Sequence, residues 1–169
     1  MGRDHRVSAA RAATPGIAAL VKAGVPHEIV TFDRGSGEHS FGAEAVRALA
    51  EKGVAAERIY KTLVIAVPGG LAVAIVPASA RLSLRAAAAA LGFSRAGMAE
   101  PAAAQRATGY VVGAISPFGQ RKPLPTVVDA GALAWERIYC SAGRRGWDVA
   151  VAPHDLIRLT GAVTADILA

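Results

Sequence analysis

The spacing of hydrophobic positions alternates between helical and strand-like along the chain, and capping or turn residues mark many of the boundaries. A first helix is predicted to begin at Thr14-Pro15, because threonine caps a helix and proline fits its first turn. It is predicted to end at Gly24, because glycine readily adopts the left-handed conformation at which helices commonly end. Residues 27–32 alternate polar and apolar, which is typical of a half-buried strand. By the same criteria we predict further helices at 41–50, 84–91 after Ser83, 101–109 and 153–159.

The strand predictions concentrate in the middle and the second half of the chain. Two apolar runs, 63–67 and 71–76, flank Pro68-Gly69-Gly70 and predict a β-hairpin. Short strands are predicted at 110–112, 126–129, 137–140 and 148–151. Because strands and helices mix without a regular βαβ order, we expect an α/β (α+β-like) fold in which helices pack outside one mixed, curved, barrel-like sheet. That single domain is expected to span 14–169, after a flexible N-terminal extension, 1–13, and to contain a polar loop at 34–40.

Composition narrows the class of protein. The chain has 169 residues, of which 53% are hydrophobic, and a formal charge of +6 with 15 arginines and 4 lysines. A single cysteine argues against a disulfide scaffold and fits a reducing compartment. The longest apolar stretch is too short to span a bilayer and no segment of signal-peptide type is present, so we expect a soluble cytoplasmic protein with no membrane partner. The positive charge is compatible with a polyanionic partner and does not identify one.

The familiar catalytic signatures are missing from the sequence. It contains no Gly-x-Ser-x-Gly elbow, no phosphate-binding Walker loop, no His-Glu-x-x-His and no Cys-x-x-Cys. The four histidines lie far apart, so we predict no metal site and no cofactor. Cys140 follows apolar residues in a predicted strand, and we interpret it as a packed thiol rather than a nucleophile.

Three polar segments remain as candidates for chemistry, and composition alone leaves each of them open. Lys61, directly before the strand at 63–67, can hold a phosphate or a carbonyl oxygen, or can simply reach solvent. The turn between Gly113 and Pro117 can present backbone N–H groups to a reacting carbonyl, or can be an ordinary loop. Arg144 and Arg145, in the loop of a predicted hairpin, suit either nucleic-acid phosphates or solvent.

Taken together, these segments resemble the YbaK/EbsC family, specifically its free-standing Cys-tRNA(Pro) deacylases. The resemblance runs from about residue 14 to 168, and it is specific because several motifs occur in order with matching spacing. These motifs are Tyr60-Lys61-Thr62-Leu63, Met98-Ala99-Glu100-Pro101, Ala104-Gln105-Arg106-Ala107-Thr108-Gly109-Tyr110, Val112-Gly113-Ala114-Ile115-Ser116-Pro117-Phe118-Gly119-Gln120, Leu124-Pro125-Thr126 and Gly143-Arg144-Arg145-Gly146.

The resemblance implies trans-editing: removal of cysteine from tRNA(Pro) that prolyl-tRNA synthetase has mischarged, with that synthetase as a second partner. It implies that Lys61 holds the 3′-terminal adenosine or its phosphate, and that the Gly113 backbone hydrogen-bonds at the reacting end. It also implies that the substrate's own thiol attacks the ester to form a cyclic thiolactone, which would leave Cys140 without a catalytic role. The residues that the resemblance assigns to the pocket are Phe32, Phe41, Thr62, Ser141 and Asp148.

The chain departs from the family's pattern at three positions. Phe32 stands where tyrosine is common, so the pocket is expected to be drier, and Ala114 and Ala142 stand where glycine is usual, so their methyl groups are expected to narrow the pocket or stiffen its loops. These departures leave two alternatives to the leading hypothesis. The protein is a deacylase for another misacylated tRNA, such as Ala-tRNA(Pro), or it is a non-catalytic module that binds tRNA or a synthetase.

Overall fold

The structure, a computed structural model, describes residues 14–32 and 41–169. These residues form a mixed α/β domain. Its helices are α1 (Pro15–Ala23), α2 (Phe41–Ala50), α3 (Leu84–Leu91), α4 (Pro101–Thr108) and α5 (Pro153–Thr160). Its strands are β1 (His27–Thr31), β2 (Tyr60–Val67), β3 (Gly70–Pro77), β4 (Gly97–Met98), β5 (Thr126–Asp129), β6 (Ile138–Arg144), β7 (Trp147–Val151) and β8 (Val163–Ala165). The predicted extension at 1–13 and the predicted loop at 34–40 lie outside the described residues.

The caps predicted from the sequence are the ones that the structure uses. The Thr14 side-chain oxygen accepts a hydrogen bond from the Ile17 N–H at 3.0 Å, and α1 ends at Gly24 with φ +68°. Ser83 caps α3 in the same way, with the Ala86 N–H as donor at 3.1 Å. Such a bond satisfies one of the amide groups that the first turn of a helix leaves without a partner. The predicted ends of α1 and α3 are therefore confirmed.

The prediction of one barrel-like sheet is wrong, because the described strands form two sheets. The first is antiparallel, in the order β1-β7-β6, and the second is mixed, in the order β4-β2-β3-β5-β8. An isolated backbone bridge joins Ile59, directly before β2, to Tyr139 of β6. No continuous ladder closes a barrel among the described strands. The main core packs between both sheets, α1 and α5. Separate apolar clusters bury the outer face of the mixed sheet under α3 and the outer face of the antiparallel sheet under α2.

The predicted strand at 110–112 is also wrong, because these residues form part of a loop after α4. The side chains of α4 take up the backbone donors that a strand would pair. The Tyr110 N–H donates to Thr108 Oγ1 at 3.2 Å, and the Val112 N–H donates to Gln105 Oε1 at 3.2 Å. In the described part of the chain, no helix is long and apolar enough to cross a membrane.

Candidate functional site

A cavity of about 390 Å³ opens where β2, the loop after α4 and the β6–β7 hairpin meet. That volume lies within the range of roughly 300–1,000 Å³ that is usual for small-molecule sites. Five of the residues singled out from the sequence line it: Lys61, Thr62, Gly113, Ser141 and Asp148. They come from three separate segments of the chain, so only the fold brings them together. Most of the remaining wall is aliphatic and was not predicted as part of the site, for example Ile59, Val64, Met98, Pro101 and Ile115.

Lys61 is the second residue of β2, opposite Val76 of β3, and not part of a loop before the strand as the sequence suggested. Its ammonium group donates a hydrogen bond to the Ala80 carbonyl oxygen at 2.8 Å. Because an ammonium group has three N–H donors, this bond fixes the side chain and leaves donors for a ligand. Partial burial lowers the pKa of Lys61 below its ordinary value. The ammonium is thus oriented and partly desolvated, which strengthens its attraction for a phosphate or a carbonyl oxygen.

Thr62, the next residue of β2, also faces the cavity. Its hydroxyl oxygen is buried and has no hydrogen-bond partner among the described residues. Buried hydroxyl groups are rarely left without a partner, because losing water without compensation costs about 1–3 kcal/mol. The unpartnered hydroxyl therefore points to a ligand contact at this wall.

Gly113, in the loop after α4, also lines the cavity. Its φ is +92°, a conformation that favours glycine. Among the described residues its N–H donates no hydrogen bond, whereas the neighbouring Ala114 N–H donates to the Val111 carbonyl at 3.0 Å and the Val112 N–H to Gln105. The loop is therefore held on both sides of Gly113, and no described residue accepts a hydrogen bond from the glycine amide. Gln105, which lies in a family motif, is a positioning residue that the sequence analysis did not single out.

A second set of hydrogen bonds fixes the far end of the same loop. The buried Tyr110 hydroxyl donates to the Phe118 carbonyl at 2.6 Å, and the Phe118 N–H donates to Ser116 Oγ at 3.2 Å. Gln120 Nε2 donates to the Ser116 carbonyl at 3.0 Å. Burial raises the pKa of Tyr110 to about 12, so its hydroxyl keeps its proton and stays a donor. Hydrogen bonds therefore hold the loop around Gly113 at both of its ends.

We expect Tyr110→Phe to lower the free energy of unfolding by about 1–3 kcal/mol, because the Phe118 carbonyl would lose its donor in a buried place. Urea unfolding followed by circular dichroism measures this. The matched control is Tyr139→Phe, because the half-buried Tyr139 hydroxyl makes no hydrogen bond with the described residues and its loss should change stability by under about 0.5 kcal/mol. Equal losses in both variants would contradict the role given to the Tyr110 hydroxyl.

Ser141 and Asp148 face each other across the β6–β7 hairpin. A bulge follows Ser141, and its Oγ accepts a hydrogen bond from the Gly143 N–H at 3.0 Å. Asp148 is only 7% exposed. Burial raises the pKa of its carboxyl to about 7, since charge is unfavourable where water is excluded. The hairpin thus supplies a hydroxyl and a carboxyl to one end of the cavity.

A smaller cavity of about 30 Å³ adjoins this end and shares Gly113, Ser141 and Asp148 with the larger one. Phe32, Arg144 and Arg145 line it, so the predicted pocket residue Phe32 lies beside the main cavity rather than in its wall. The Arg144 guanidinium stacks over the Trp147 ring at 5.1 Å from the ring centre. Phe41 is the first residue of α2, and its side chain lies outside the part that the structure describes.

The two alanine departures do not narrow the main cavity, because neither Ala114 nor Ala142 lines it. Both side chains are buried, and Ala142 belongs to the main core. Cys140 is fully buried in the same core, burial raises the pKa of its thiol well above the ordinary value, and it does not line the cavity. No histidine or cysteine stands among the described residues of the cavity wall.

Comparison with known proteins identifies relatives of the chain. The family described as the aminoacyl-tRNA editing domain matches residues 39–159. A curated relative from Enterococcus faecalis, named "Putative Cys-tRNA(Pro)/Cys-tRNA(Cys) deacylase EbsC", is 34% identical over 116 residues, which are 68% of this chain and 71% of the relative.

Solved structures share the fold over nearly the whole chain. One described as "a putative trans-editing enzyme for prolyl tRNA synthetase" has a TM-score of 0.78 and 26% identity, covering 90% of this chain and 93% of that one. Another, described as a hypothetical protein, has a TM-score of 0.78 and 25% identity, covering 92% of this chain and 100% of that one.

Proposed function

Because the chain belongs to the family of aminoacyl-tRNA editing domains, we propose that it is a trans-editing deacylase that removes cysteine from mischarged Cys-tRNA(Pro). The observation that carries this proposal is the single cavity shared by Lys61, Thr62, Gly113, Ser141 and Asp148. The cavity combines a fixed cation and an available backbone amide with an apolar wall. Those are the groups needed to hold an ester between a nucleotide and a small side chain.

Lys61 is proposed to hold the 3′-terminal adenosine or its phosphate. Its ammonium is anchored on the Ala80 carbonyl and retains N–H donors with which it can bind a ligand. A compact charge held in this way binds a phosphate oxygen without needing the flat geometry of a guanidinium. The acceptor end of the tRNA is thereby fixed relative to the cavity, and the ester is placed beside the Gly113 loop.

The Gly113 N–H is proposed to donate to the ester carbonyl oxygen. Negative charge grows on that oxygen when the carbonyl carbon is attacked, and a backbone donor held in place beforehand stabilises it. The hydrogen bonds from Val112 to Gln105 and from Tyr110 to Phe118 hold the loop that carries this amide. The donor therefore needs no rearrangement when the reaction begins.

The nucleophile is proposed to be the thiol of the substrate's own cysteine. Its sulfur bonds to the ester carbonyl carbon, the bond from that carbon to the ribose oxygen breaks, and the thiol proton ends on the released ribose hydroxyl. The products are a tRNA with a free 3′ end and a cyclic thiolactone, which water opens to cysteine. An intramolecular attack needs mainly orientation, which is worth about 7–11 kcal/mol in well-oriented cases. The buried Cys140 and a wall without histidine or cysteine among its described residues are consistent with this route.

Comparing two esters on the same tRNA(Pro) tests both the activity and its mechanism. The protein is expected to deacylate Cys-tRNA(Pro) at least ~100-fold faster than Ser-tRNA(Pro), because a thiol is far more readily ionised and more nucleophilic than a hydroxyl. The measurement is the loss of radiolabelled amino acid from each tRNA, with an enzyme-free reaction as the control. Equal rates would refute thiol attack, and a Cys ester as stable as in the enzyme-free reaction would refute the proposed function.

A further inference from the structure

We propose that the Asp148 end of the cavity binds the free α-ammonium group of the aminoacyl ester, so that the enzyme recognises its substrate by the unblocked amine as well as by the thiol. This inference rests on the proposed function, because it assigns a substrate group to one part of that site. It predicts that esters whose amino group is missing or acylated are poor substrates.

The Asp148 carboxylate forms no ion pair with the described residues. The ion pairs between those residues join Glu28 to Arg137 and Asp155 to Arg158, and neither involves Asp148. The cation in the main cavity wall, Lys61, donates to the Ala80 carbonyl. Arg144 and Arg145 line the smaller cavity with Asp148, but the ion pairs between described residues do not join either of them to its carboxylate, and the Arg144 guanidinium stacks on Trp147. A buried carboxylate without a cation is costly, so a cationic ligand that pairs with it gains both the pairing and relief of that cost. Burial raises the pKa of Asp148 to about 7, which is consistent with a carboxyl group that has no cationic partner when the ligand is absent.

The hydroxyl groups of the cavity complement a ligand that brings several donors. Thr62 Oγ1 is buried without a partner among the described residues, and Ser141 stands directly across from Asp148. An ammonium group has three N–H donors and no acceptor, so it needs oxygen acceptors. A carboxylate and hydroxyl oxygens in an otherwise mainly aliphatic wall supply that set. A free α-amino group can carry a positive charge near neutral pH, and its ammonium form fits this set.

Recognition of a free amine would separate two kinds of tRNA ester. A mischarged tRNA carries a free α-ammonium, whereas a tRNA that holds a growing peptide carries a neutral amide at the same atom. The neutral amide offers one donor, no charge and additional bulk. We therefore expect peptidyl esters that end in cysteine to be spared, even though they contain the reactive thiol.

The test compares three esters of the same tRNA(Pro): cysteinyl, N-acetylcysteinyl and 3-mercaptopropionyl, which is cysteine without its amino group. The wild-type protein, Asp148→Asn and the control Asp155→Asn on α5 are assayed for kcat/KM. Asp148→Asn is expected to lower kcat/KM about 10- to 100-fold for the cysteinyl ester and less than about 3-fold for the 3-mercaptopropionyl ester. The reason is that only the cysteinyl ester carries an ammonium group, which loses its ionic partner in the variant. Wild-type protein should spare the N-acetyl ester by a similar factor. Asp155→Asn, whose residue lies outside the cavity, should match wild type on all three.

In the comparison of Asp148→Asn with wild type, each ester is compared with itself, so differences in thiol acidity cancel. If Asp148→Asn slowed the cysteinyl and 3-mercaptopropionyl esters equally, Asp148 would act on the thiol or on the fold, and the inference would be overturned. A wild-type protein that cleaved the N-acetyl ester as fast as the cysteinyl ester would overturn it as well. Circular dichroism of Asp148→Asn establishes that the variant is folded, which is expected because an amide replaces a buried charge.

A binding measurement keeps this inference separate from the proposed activity. Two adenosine derivatives are used that carry a cysteinyl or a 3-mercaptopropionyl group on a 3′-amide, which resists cleavage. Titration calorimetry should give wild-type protein about 10-fold tighter binding of the cysteinyl derivative, and Asp148→Asn no preference. If Cys-tRNA(Pro) is not cleaved but this preference appears, the proposed function fails and the inference stands. If Cys-tRNA(Pro) is cleaved but the preference is missing, the inference fails and the proposed function stands.

Discussion

Replacing Lys61 by alanine is expected to lower kcat/KM for Cys-tRNA(Pro) by at least ~100-fold, because the substrate loses the charge-assisted contact that fixes its 3′ end and with it the orientation of the ester. The fold should be little affected. Lys61 is only partly buried, and its hydrogen bond goes to a single carbonyl, that of Ala80, so the free energy of unfolding should change by less than about 1 kcal/mol.

Lys22→Ala is the matched control, since Lys22 is an exposed lysine at the end of α1 and does not line the cavity. It removes the same charge from the protein but should keep the wild-type rate. Lys61→Arg adds a second comparison: its larger fork should restore less than about 10% of the rate, because Arg and Lys are not interchangeable where a compact ammonium is fitted. Wild-type activity in Lys61→Ala would show that Lys61 does not hold the substrate. An equal loss in Lys22→Ala would show that Lys61 acts only through the overall charge of the protein.

Gly119→Ala is expected to destabilise the fold by about 4 kcal/mol or more, a loss that is exceptional for a single substitution. A Cβ at Gly119 would lie 2.5 Å from the Pro15 carbonyl carbon and 2.8 Å from the Gly16 nitrogen, both of them backbone atoms that cannot turn aside. The φ of +66° adds the strain of a left-handed conformation. Since domains of this kind are stable by only about 5–15 kcal/mol, this loss removes a large share of the free energy of unfolding and should clearly lower the unfolding midpoint.

Gly161→Ala separates the steric overlap from the backbone strain. Gly161 has nearly the same φ, +65°, but a Cβ there would meet nothing within 4 Å. The substitution should therefore cost only about 1–2 kcal/mol, which is the strain of a left-handed alanine. Thermal and urea unfolding of the two variants gives the difference. Similar losses in both would mean that α1 does not pack against Gly119 as described.

The elements that could be predicted from the sequence are those whose signals are local. Thr14 and Ser83 cap the helices that follow them through bonds to amides three residues away, so the sequence alone contains both partners. The segment 110–112 could not be predicted in this way. Its strand-like composition is overruled by Gln105 and Thr108, which take its backbone donors from the preceding helix. The division into two sheets depends on pairing between distant strands, such as β1 with β7, for which the sequence has no local marker.

The functional site also contains residues that could be predicted from the sequence and residues that could not. The resemblance to the family singled out Lys61, Thr62, Gly113, Ser141 and Asp148, and the structure places all five around one cavity. Their chemical roles remain predictions. The aliphatic wall could not be recognised beforehand, because a valine or isoleucine that lines a cavity looks the same in a sequence as one that fills a core. The unpartnered Thr62 hydroxyl is likewise visible only once the neighbours are known.

The contact between Thr14 and Ala142 has a consequence for how the protein is made. The Thr14 hydroxyl donates to the Ala142 carbonyl at 2.7 Å, directly beside Ser141, and so joins residues 128 positions apart. During synthesis the start of α1 leaves the ribosome long before its partner strand exists. Ser141 and Asp148 emerge only when most of the domain has been translated, so the last wall of the cavity is completed late. Nascent chains truncated before β6 therefore lack one wall of the cavity, and the cavity is complete only after β7 has been translated.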